Sequence, residues 1–290
     1  MPSLRVVGLA GTALYEDAGR RHVDSGVPIS GAFDHYAHES GTALVGGSAA
    51  DASLEIVGVI ELAADVPVTC AVTGSAEVKI DGDMGAPWTA FDLAVGARIR
   101  VSAQGRGYLA VAGGFQPEAV LGSRSTCLMG PLGPPPVRLG DVLPLSAAPT
   151  SRTAGDYLRA PEHRSAIQVT SGPHLEVTTG EVAVIESSRI GVRLTPGRLV
   201  ASGPGRDVRE DLPSMGVLPG TIQVLPSGDW MLLGPDAGTM GGYPVAGVVS
   251  TPDMDVVAHL RAGDRIVLAV GEPTPARPRQ GIVRVGGLGA

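Results

Sequence analysis

Apolar residues along this 290-residue chain fall in short alternating or β-branched runs. Gly, Pro, Asp-Gly or Ser-Gly break the pattern at intervals of roughly eight to twelve residues, a spacing typical of all-β domains. Val66–Val72, Glu77–Ile80, Ala97–Val101, Tyr108–Ala112, Ala166–Thr170 and Arg265–Val270 are such runs. A period of two puts alternate side chains on opposite faces of a strand, so the pattern predicts a sandwich or barrel rather than βαβ units. Helical patterns are few. Asp34 is placed to cap a helix over Asp34–Val45. Thr251-Pro-Asp-Met-Asp supplies a cap, a proline in the first turn and acids near the N-terminus of a second, which Gly263 would end.

The halves repeat weakly. An offset of 123 joins Ile99 to Ile222, Val101 to Val224 and Leu109 to Leu232, and still joins Gly140-Asp141-x-Leu143 to Gly263-Asp264-x-Ile266. This reads as two related β-barrel domains. The first would cover residues 1–150. Residues 151–290 would hold the second, preceded by a linker within Ser146–Ser165, where no period of 2 or 3.6 is visible. Two barrels in contact would leave a crevice for a ligand.

Composition narrows the function classes. The net charge is −7, with no stripe of Lys or Arg, which argues against nucleic acid as a partner. No apolar run approaches the roughly 20 residues that span a bilayer. Cys70 and Cys127 are too few for a disulfide framework, and the N-terminus lacks an apolar leader core, so the expected location is the cytoplasm. Lys79 is the only lysine. There is accordingly no Gly-x-x-x-x-Gly-Lys phosphate loop; Lys79 belongs on the outward face of a strand, and Cys70 reads as a small buried hydrophobe.

Candidate chemistry gathers in glycine-rich loops. Leu233-Gly-Pro-Asp-Ala-Gly-Thr-Met-Gly-Gly-Tyr-Pro244 lies between two strand-like runs, a position from which loops often present binding residues. Glu16–Arg20, Ser25–Asp34, Gly122–Thr126 and Glu186–Arg193 likewise combine Gly with Arg, Ser, Thr and acids. Arginine offers a fork to carboxylate or phosphate, and hydroxyls offer adaptable donors. His35, His38 and Glu39 are close in sequence, but no further ligands stand at zinc-like spacing, and no metal site is expected. Neither a Gly-x-Ser-x-Gly turn nor a dinucleotide fingerprint is present.

Taken in order, Asp17-x-Gly-Arg20, Gly26-Val-Pro-x-Ser-Gly-Ala-x-Asp34, Leu44-Val-Gly46, Tyr108-Leu-Ala-Val-Ala-Gly-Gly114, Gly122-Ser-Arg-Ser-Thr126, Gly220-Thr-Ile-Gln-Val224 and Gly241-Gly-Tyr-Pro244 resemble the biotin-dependent carboxyltransferase family. That family is also called allophanate hydrolase subunit 2. It includes the C-type component of bacterial 5-oxoprolinase and part of the carboxyltransferase region of urea carboxylase. The resemblance runs from about Gly8 to Val270. It implies a mainly β fold of two tandem cyclophilin-like β-barrels with a few short helices.

It further implies a B-type partner subunit (allophanate hydrolase subunit 1-like) and ATP-dependent hydrolysis of a small cyclic or urea-like amide. Carboxyl transfer from biotin on a separate carrier to a urea-like nitrogen is one alternative, and a non-catalytic regulatory subunit is another. On this reading Asp236 or Asp34 accepts a proton and Tyr243 and Ser123 bind the amide. Arg20, Arg124 and Arg189 hold carboxylate or phosphate oxygens. Asp17, Ser30, Ser125, Thr126, Arg193, Gln223, Thr239, Gly241 and Gly242 complete the expected binding set. The chain departs from the family pattern at Glu16 and His259, where the family commonly has Gln, and at Ser188, Gly238 and Met240.

Overall fold

The computed structural model describes residues 1–151, 153–162, 164, 166–196, 199–201, 212–275 and 281–284. Of the expected linker, residues 152, 163 and 165 lie outside the described residues. Strands dominate, as the period-two pattern predicts. The first seven are β1 (Ser3–Glu16), β2 (Ser53–Ala64), β3 (Val68–Ile80), β4 (Asp83–Met84), β5 (Ala90–Leu93), β6 (Arg98–Val111) and β7 (Val142–Pro144). They form one sheet in the order β4-β3-β6-β2-β1-β7, with β5 added to β3. Single bridges from Phe115 to Ala52, just before β2, and to Leu145, just after β7, link the β7 edge back to the middle of the sheet, which curls into a barrel-like body.

Several runs that look separate in sequence are single strands. Val66–Val72 and Glu77–Ile80 belong to β3, which turns at Asp81-Gly82, both at positive φ, into β4. Ala97–Val101 and Tyr108–Val111 belong to β6, interrupted by a bulge around Gln104–Arg106 where its register against β2 shifts. The end of β6 is buried on both faces. Leu109 and Val111 enter the sheet core, while Tyr108 and Ala110 pack under a helix. A strand covered on both sides reads as a continuous apolar run. The covering helix is α1 (His35–Leu44), and the Asp34 side chain caps it by accepting from the Ala37 N–H at 2.8 Å.

The second body contains β8 (Ala166–Ser171), β9 (Leu175–Val177), β10 (Gly180–Ser187), β11 (Gly191–Leu194), β12 (Leu199–Ala201), β13 (Met215–Gly216), β14 (Thr221–Val224), β15 (Trp230–Leu233), β16 (Met240–Gly241), β17 (Val245–Val249) and β18 (Arg265–Val270). Seven of these close a barrel in the order β10-β11-β15-β14-β17-β8-β18. The second expected helix is shorter than its pattern suggests: a 3-10 turn over Thr251–Asp253 leads into α2 (Met254–Val257).

The repeat is partly structural. At the C-terminal ends of the two bodies the same turn is built twice, 123 residues apart. The Arg138 N–H donates to Asp141 Oδ2 at 2.7 Å, and the Arg261 N–H donates to Asp264 Oδ2 at 2.8 Å. Gly140 (φ 90°) and Gly263 (φ 93°) follow, and the turns dock on Val6 of β1 and Val184 of β10 through matching backbone bonds. Earlier in the chain the offset fails. Ile99 and Leu109 lie on the continuous β6, whereas Ile222 and Leu232 face each other across the β14–β15 hairpin.

Each body has its own apolar core, and side chains cross between them in both directions: Leu158 and Ile282 pack with the cluster under α1. Phe33, fully buried on the loop before α1, packs within the cluster of the second barrel. Asp156 and Leu158, in the expected linker, hydrogen-bond to Ala90 and Trp88 along the first sheet. Cys70 is buried and Lys79 is exposed. No helix among the described residues is long and apolar enough to cross a membrane.

Candidate functional site

Where the bodies meet, five ionisable side chains are buried together. Arg189 follows the end of β10; its guanidinium reaches Asp236, in the loop after β15, with Nε 2.9 Å from Oδ2 and Nη2 3.1 Å from Oδ1. On its other edge Nη1 lies 2.9 and 3.0 Å from the two oxygens of Glu55 on β2. Nη2 also donates to the Gly31 carbonyl at 2.7 Å and sits 3.4 Å from Glu16 Oε1, at the end of β1. Arg106, in the β6 bulge, places Nε 3.0 Å from Glu55, donates to the Ala258 carbonyl and lies over the Phe33 ring. The Tyr108 hydroxyl and the Phe33 N–H donate to Glu55 at 2.7 and 3.0 Å.

These contacts set the charge states. Burial by itself would raise the Glu55 carboxyl, but Arg189, Arg106 and the two neutral donors outweigh it and bring it down to about 2. Burial raises Glu16 well above the ordinary carboxylate range; Arg189 opposes this, and the neighbouring Glu55 and Asp236 reinforce it. Each of the three guanidinium nitrogens of Arg189 has a protein acceptor: Asp236, Glu55 and the Gly31 carbonyl surround it. The expectation that Arg189 holds a ligand anion is therefore corrected: it orients Glu55 and Asp236 and joins the two barrels.

Asp17 has a similar role. Its carboxylate accepts from Gly19 N–H, Ser123 Oγ, Ser125 Oγ and Arg124 N–H at 2.7–2.8 Å, which locks the Gly122–Thr126 loop against the end of β1. A carboxylate accepting four hydrogen bonds is a loop anchor. Ser123 gives its proton to Asp17, and Arg124 turns its side chain to Gln116 at 3.0 Å. Arg20 is different. Buried, it donates from Nη2 to the Ser125 carbonyl at 2.5 Å, while its Nε and Nη1 have no partner among the described residues. Ser30 (φ 53°), Thr126 and Glu16 are also buried, and their side-chain oxygens form no hydrogen bond among the described residues. Buried polar atoms are normally paired, so these four side chains, like Gln223, Trp230 and Asp253 elsewhere, keep hydrogen-bonding capacity that the described residues do not use.

The other expected residues are dispersed. Asp34 caps α1 and receives His259 Nε2 at 2.8 Å across the domain boundary. Gln223 lies on β14 beside Gly241, where a Cβ would come 2.2 Å from its Nε2. Thr239, Gly241 and Gly242 belong to the segment that pairs with Met215–Gly216. Tyr243 is 43% exposed. Arg193 lies outside the cluster in a half-exposed pair with Asp229. His38 is not poised for a metal: Nδ1 meets Ser53 Oγ and Nε2 meets the Ala49 carbonyl.

Glu55, Arg106 and Tyr108 were not expected at the site. Glu55 lies in Ser53-Leu-Glu-Ile56, where the alternation puts Leu54 and Ile56 in the core and Glu55 on the outward face. It is buried beneath Phe33, Arg106 and Tyr108 of its own body together with Arg189 of the second barrel. A cleft of about 500 Å³ opens nearby, bounded by Asp34, His259, Asp255, Gln104, Arg164 and Trp88.

The carboxyltransferase domain, subdomain A and B, family model matches residues 25–269. The chain belongs to this family. It is 30% identical to the C-type component of Escherichia coli 5-oxoprolinase, over 91% of its own length and 89% of that protein. Among solved structures it resembles TTHA0988 at 27% identity and a TM-score of 0.82, covering 94% of this chain and 56% of that one. Kluyveromyces lactis urea carboxylase shares the fold at 24% identity and a TM-score of 0.80, with 92% of this chain matching 27% of that enzyme. The chain thus spans about half of TTHA0988 and little more than a quarter of the yeast enzyme.

Against the family pattern, the departure at His259 is chemically mild. The Arg106 N–H donates to His259 Nδ1 at 3.1 Å, so the ring proton sits on Nε2 and is donated to Asp34. One acceptor and one donor are what a glutamine amide would supply there.

Proposed function

We propose that this chain is the C-type component of a two-subunit enzyme that hydrolyses a small amide, as a relative of 5-oxoprolinase. The observation that carries this reading is the set of unpaired buried groups, Glu16, Arg20, Ser30 and Thr126, at the joint of a chain that aligns with nearly all of the C-type component of 5-oxoprolinase. One cation, two hydroxyls and a buried carboxyl suit a small ligand that carries a carboxylate and an amide. The same donors do not fit a triphosphate, which needs several cations or a nest of backbone N–H groups. No step through ATP is therefore assigned to this chain, and its phosphates fall to a B-type partner subunit.

The test is to combine the chain with its B-type partner, ATP and 5-oxoproline and to measure glutamate. ATP-dependent release of glutamate is expected. A stable complex without turnover would overturn the substrate. The family model's description as a carboxyltransferase domain favours a second reading, carboxyl transfer, which we take to run from a biotin carrier to a urea-like nitrogen. Avidin-sensitive incorporation of labelled bicarbonate would select it.

A further inference from the structure

Outside the buried cluster, a second cleft of about 340 Å³ opens on the first body, between the loop after β6 and the turn that leads into β7. Pro117, Pro134, Pro135 and Val142 give it apolar walls, and no Lys or Arg lines it among the described residues. Its polar groups are two carboxylates and a phenol. Asp141 accepts the Arg138 N–H through Oδ2 and keeps Oδ1 unengaged among the described residues. Glu118 is exposed and has no partner among them. Tyr15 is 6% exposed, lines the cleft and forms no hydrogen bond through its hydroxyl among the described residues. Burial and the nearby Asp141 raise this phenol above its ordinary value, so it stays a neutral O–H group.

Two carboxylates and no cation at one apolar slot are complementary to a cation carried on an apolar stem. A guanidinium suits it best, being planar, weakly hydrated and able to fork between acceptors on different sides. Arg138 does not fill this place, since it forms no ion pair with either acid among the described residues. Arg20 lies behind Gly133 and spends Nη2 on the Ser125 carbonyl. The rim is apolar and uncovered, with Leu121, Leu139 and Val142 47%, 65% and 52% exposed. An arginine seated in a pocket and ringed by apolar contacts is a recurrent anchor of protein interfaces. The cleft also adjoins the unpaired groups: a Cβ on Gly133, one of its lining residues, would lie 2.5 Å from Arg20 Nη2. A subunit that brings ATP to those groups has to approach them, and this face is beside them.

We propose that this cleft docks the B-type partner subunit and receives one of its arginine side chains, held by Glu118 and Asp141 with the Tyr15 oxygen as a third acceptor. The proposal goes beyond the amide-hydrolase reading and rests on it for the identity of the partner. The test measures the complex of the full chain with its B-type subunit by calorimetry at low and physiological salt. Glu118→Gln and Asp141→Asn keep the shape, and the latter still accepts the Arg138 N–H. Each should weaken the complex by at least about tenfold, the size of one charge-assisted hydrogen bond. Tyr15→Phe keeps the ring against Phe115 and should cost about two- to tenfold. Glu118→Arg sets like charges together and should cost about a hundredfold or more. Salt should weaken the wild-type complex more than that of Glu118→Gln. Asp83→Asn, an equal change of charge at the opposite edge of the sheet, should alter nothing.

Circular dichroism confirms that each variant is folded. Mass spectrometry after phenylglyoxal treatment should find one arginine of the partner protected by the wild-type complex, and no protected arginine overturns the occupant. Undiminished complex formation by Glu118→Arg and Asp141→Asn, or an equal loss in Asp83→Asn, overturns the docking site. So does self-association of this chain in ultracentrifugation that Glu118→Arg abolishes, since a second copy would then fill the cleft. Failure of the two readings is distinguishable. A complex that depends on Glu118 but turns over no amide removes the hydrolase and leaves the docking site, whereas turnover that survives in Glu118→Arg removes the docking site alone. Wild type that binds no B-type subunit removes both.

Discussion

Arg189 and Glu55, 134 residues apart in the chain, meet between the two barrels with Nη1 2.9 and 3.0 Å from the two carboxylate oxygens. Neither is more than 3% exposed. Removing one partner of such a pair strands the other charge in a dry interior. Arg189→Met should destabilise the fold by about 3–5 kcal/mol, seen as a lower urea midpoint. Arg189→Lys should also destabilise it, because one ammonium cannot span Glu55 and Asp236 together. Combining Arg189→Met with Glu55→Leu should cost less than the sum of the two single changes.

The two buried glutamates give stability opposite dependences on pH. Glu55 is depressed to about 2, so its contribution is complete above the unfolded value of roughly 4.3 and is lost as pH falls toward the folded value, about 3 kcal/mol in all. Glu16 is raised; the folded chain keeps a proton that the unfolded chain releases above roughly 4.3, and stability declines as pH rises from there. Calorimetric Tm measured from acid to mildly alkaline pH should therefore fall at both ends. In Glu16→Gln the alkaline fall should shrink and the acid fall remain. Parallel profiles for the two proteins would show that Glu16 titrates normally.

His259 should be replaceable by an amide and not by a hydrocarbon. His259→Gln can accept from the Arg106 N–H and donate to Asp34, and should change stability by less than about 1 kcal/mol. His259→Leu leaves both partners unpaired at a mostly buried joint and should cost about 1–3 kcal/mol. Equal denaturation midpoints for the two variants would contradict the assigned tautomer.

The glycines of the 234–242 loop are not equivalent. A Cβ at Gly234 would lie 2.3 Å from the Arg189 carbonyl oxygen, whereas at Gly238 its nearest neighbour is the Met129 methyl at 3.7 Å. Gly234→Ala must push the loop off Arg189 and should lower stability by about 2 kcal/mol or more. Gly238→Ala should stay within about 0.5 kcal/mol of wild type. Thermal denaturation of the pair checks both.

Arg193 is paired on the outer wall of the barrel, half-exposed, with Asp229. Arg193→Ala should cost no more than about 1 kcal/mol. It should leave 5-oxoproline binding unchanged by calorimetry, whereas Arg20→Met should weaken it.

Much of the fold was legible because its causes are local. Asp34 caps its helix from three residues away. Asp141 and Asp264 close their turns within three residues, so a Gly-Asp-x-apolar pattern survives in both halves. Where two runs joined into one strand, as in β6, the deciding factor was a bulge whose register is set by β2 and invisible in a single segment. The site was half legible. Asp236, Asp34, Arg20, Ser30 and Thr126 stood out through glycine-rich company, and so did Arg189, whose saturation by three acceptors no motif displays.

What the sequence determined by itself is the strand pattern, the helix cap, the two C-terminal turns and the loops in which polar groups collect. Each depends on residues within a few positions of one another. Tertiary structure decided which of those polar groups are already satisfied. Glu55 has the alternation of an outward-facing residue and becomes buried because Phe33, Arg106 and Arg189 fold over it; the Glu16 carboxyl is raised because burial outweighs the attraction of Arg189. Burial and charge balance are sums over neighbours brought together by folding, and no local window of sequence contains the sum.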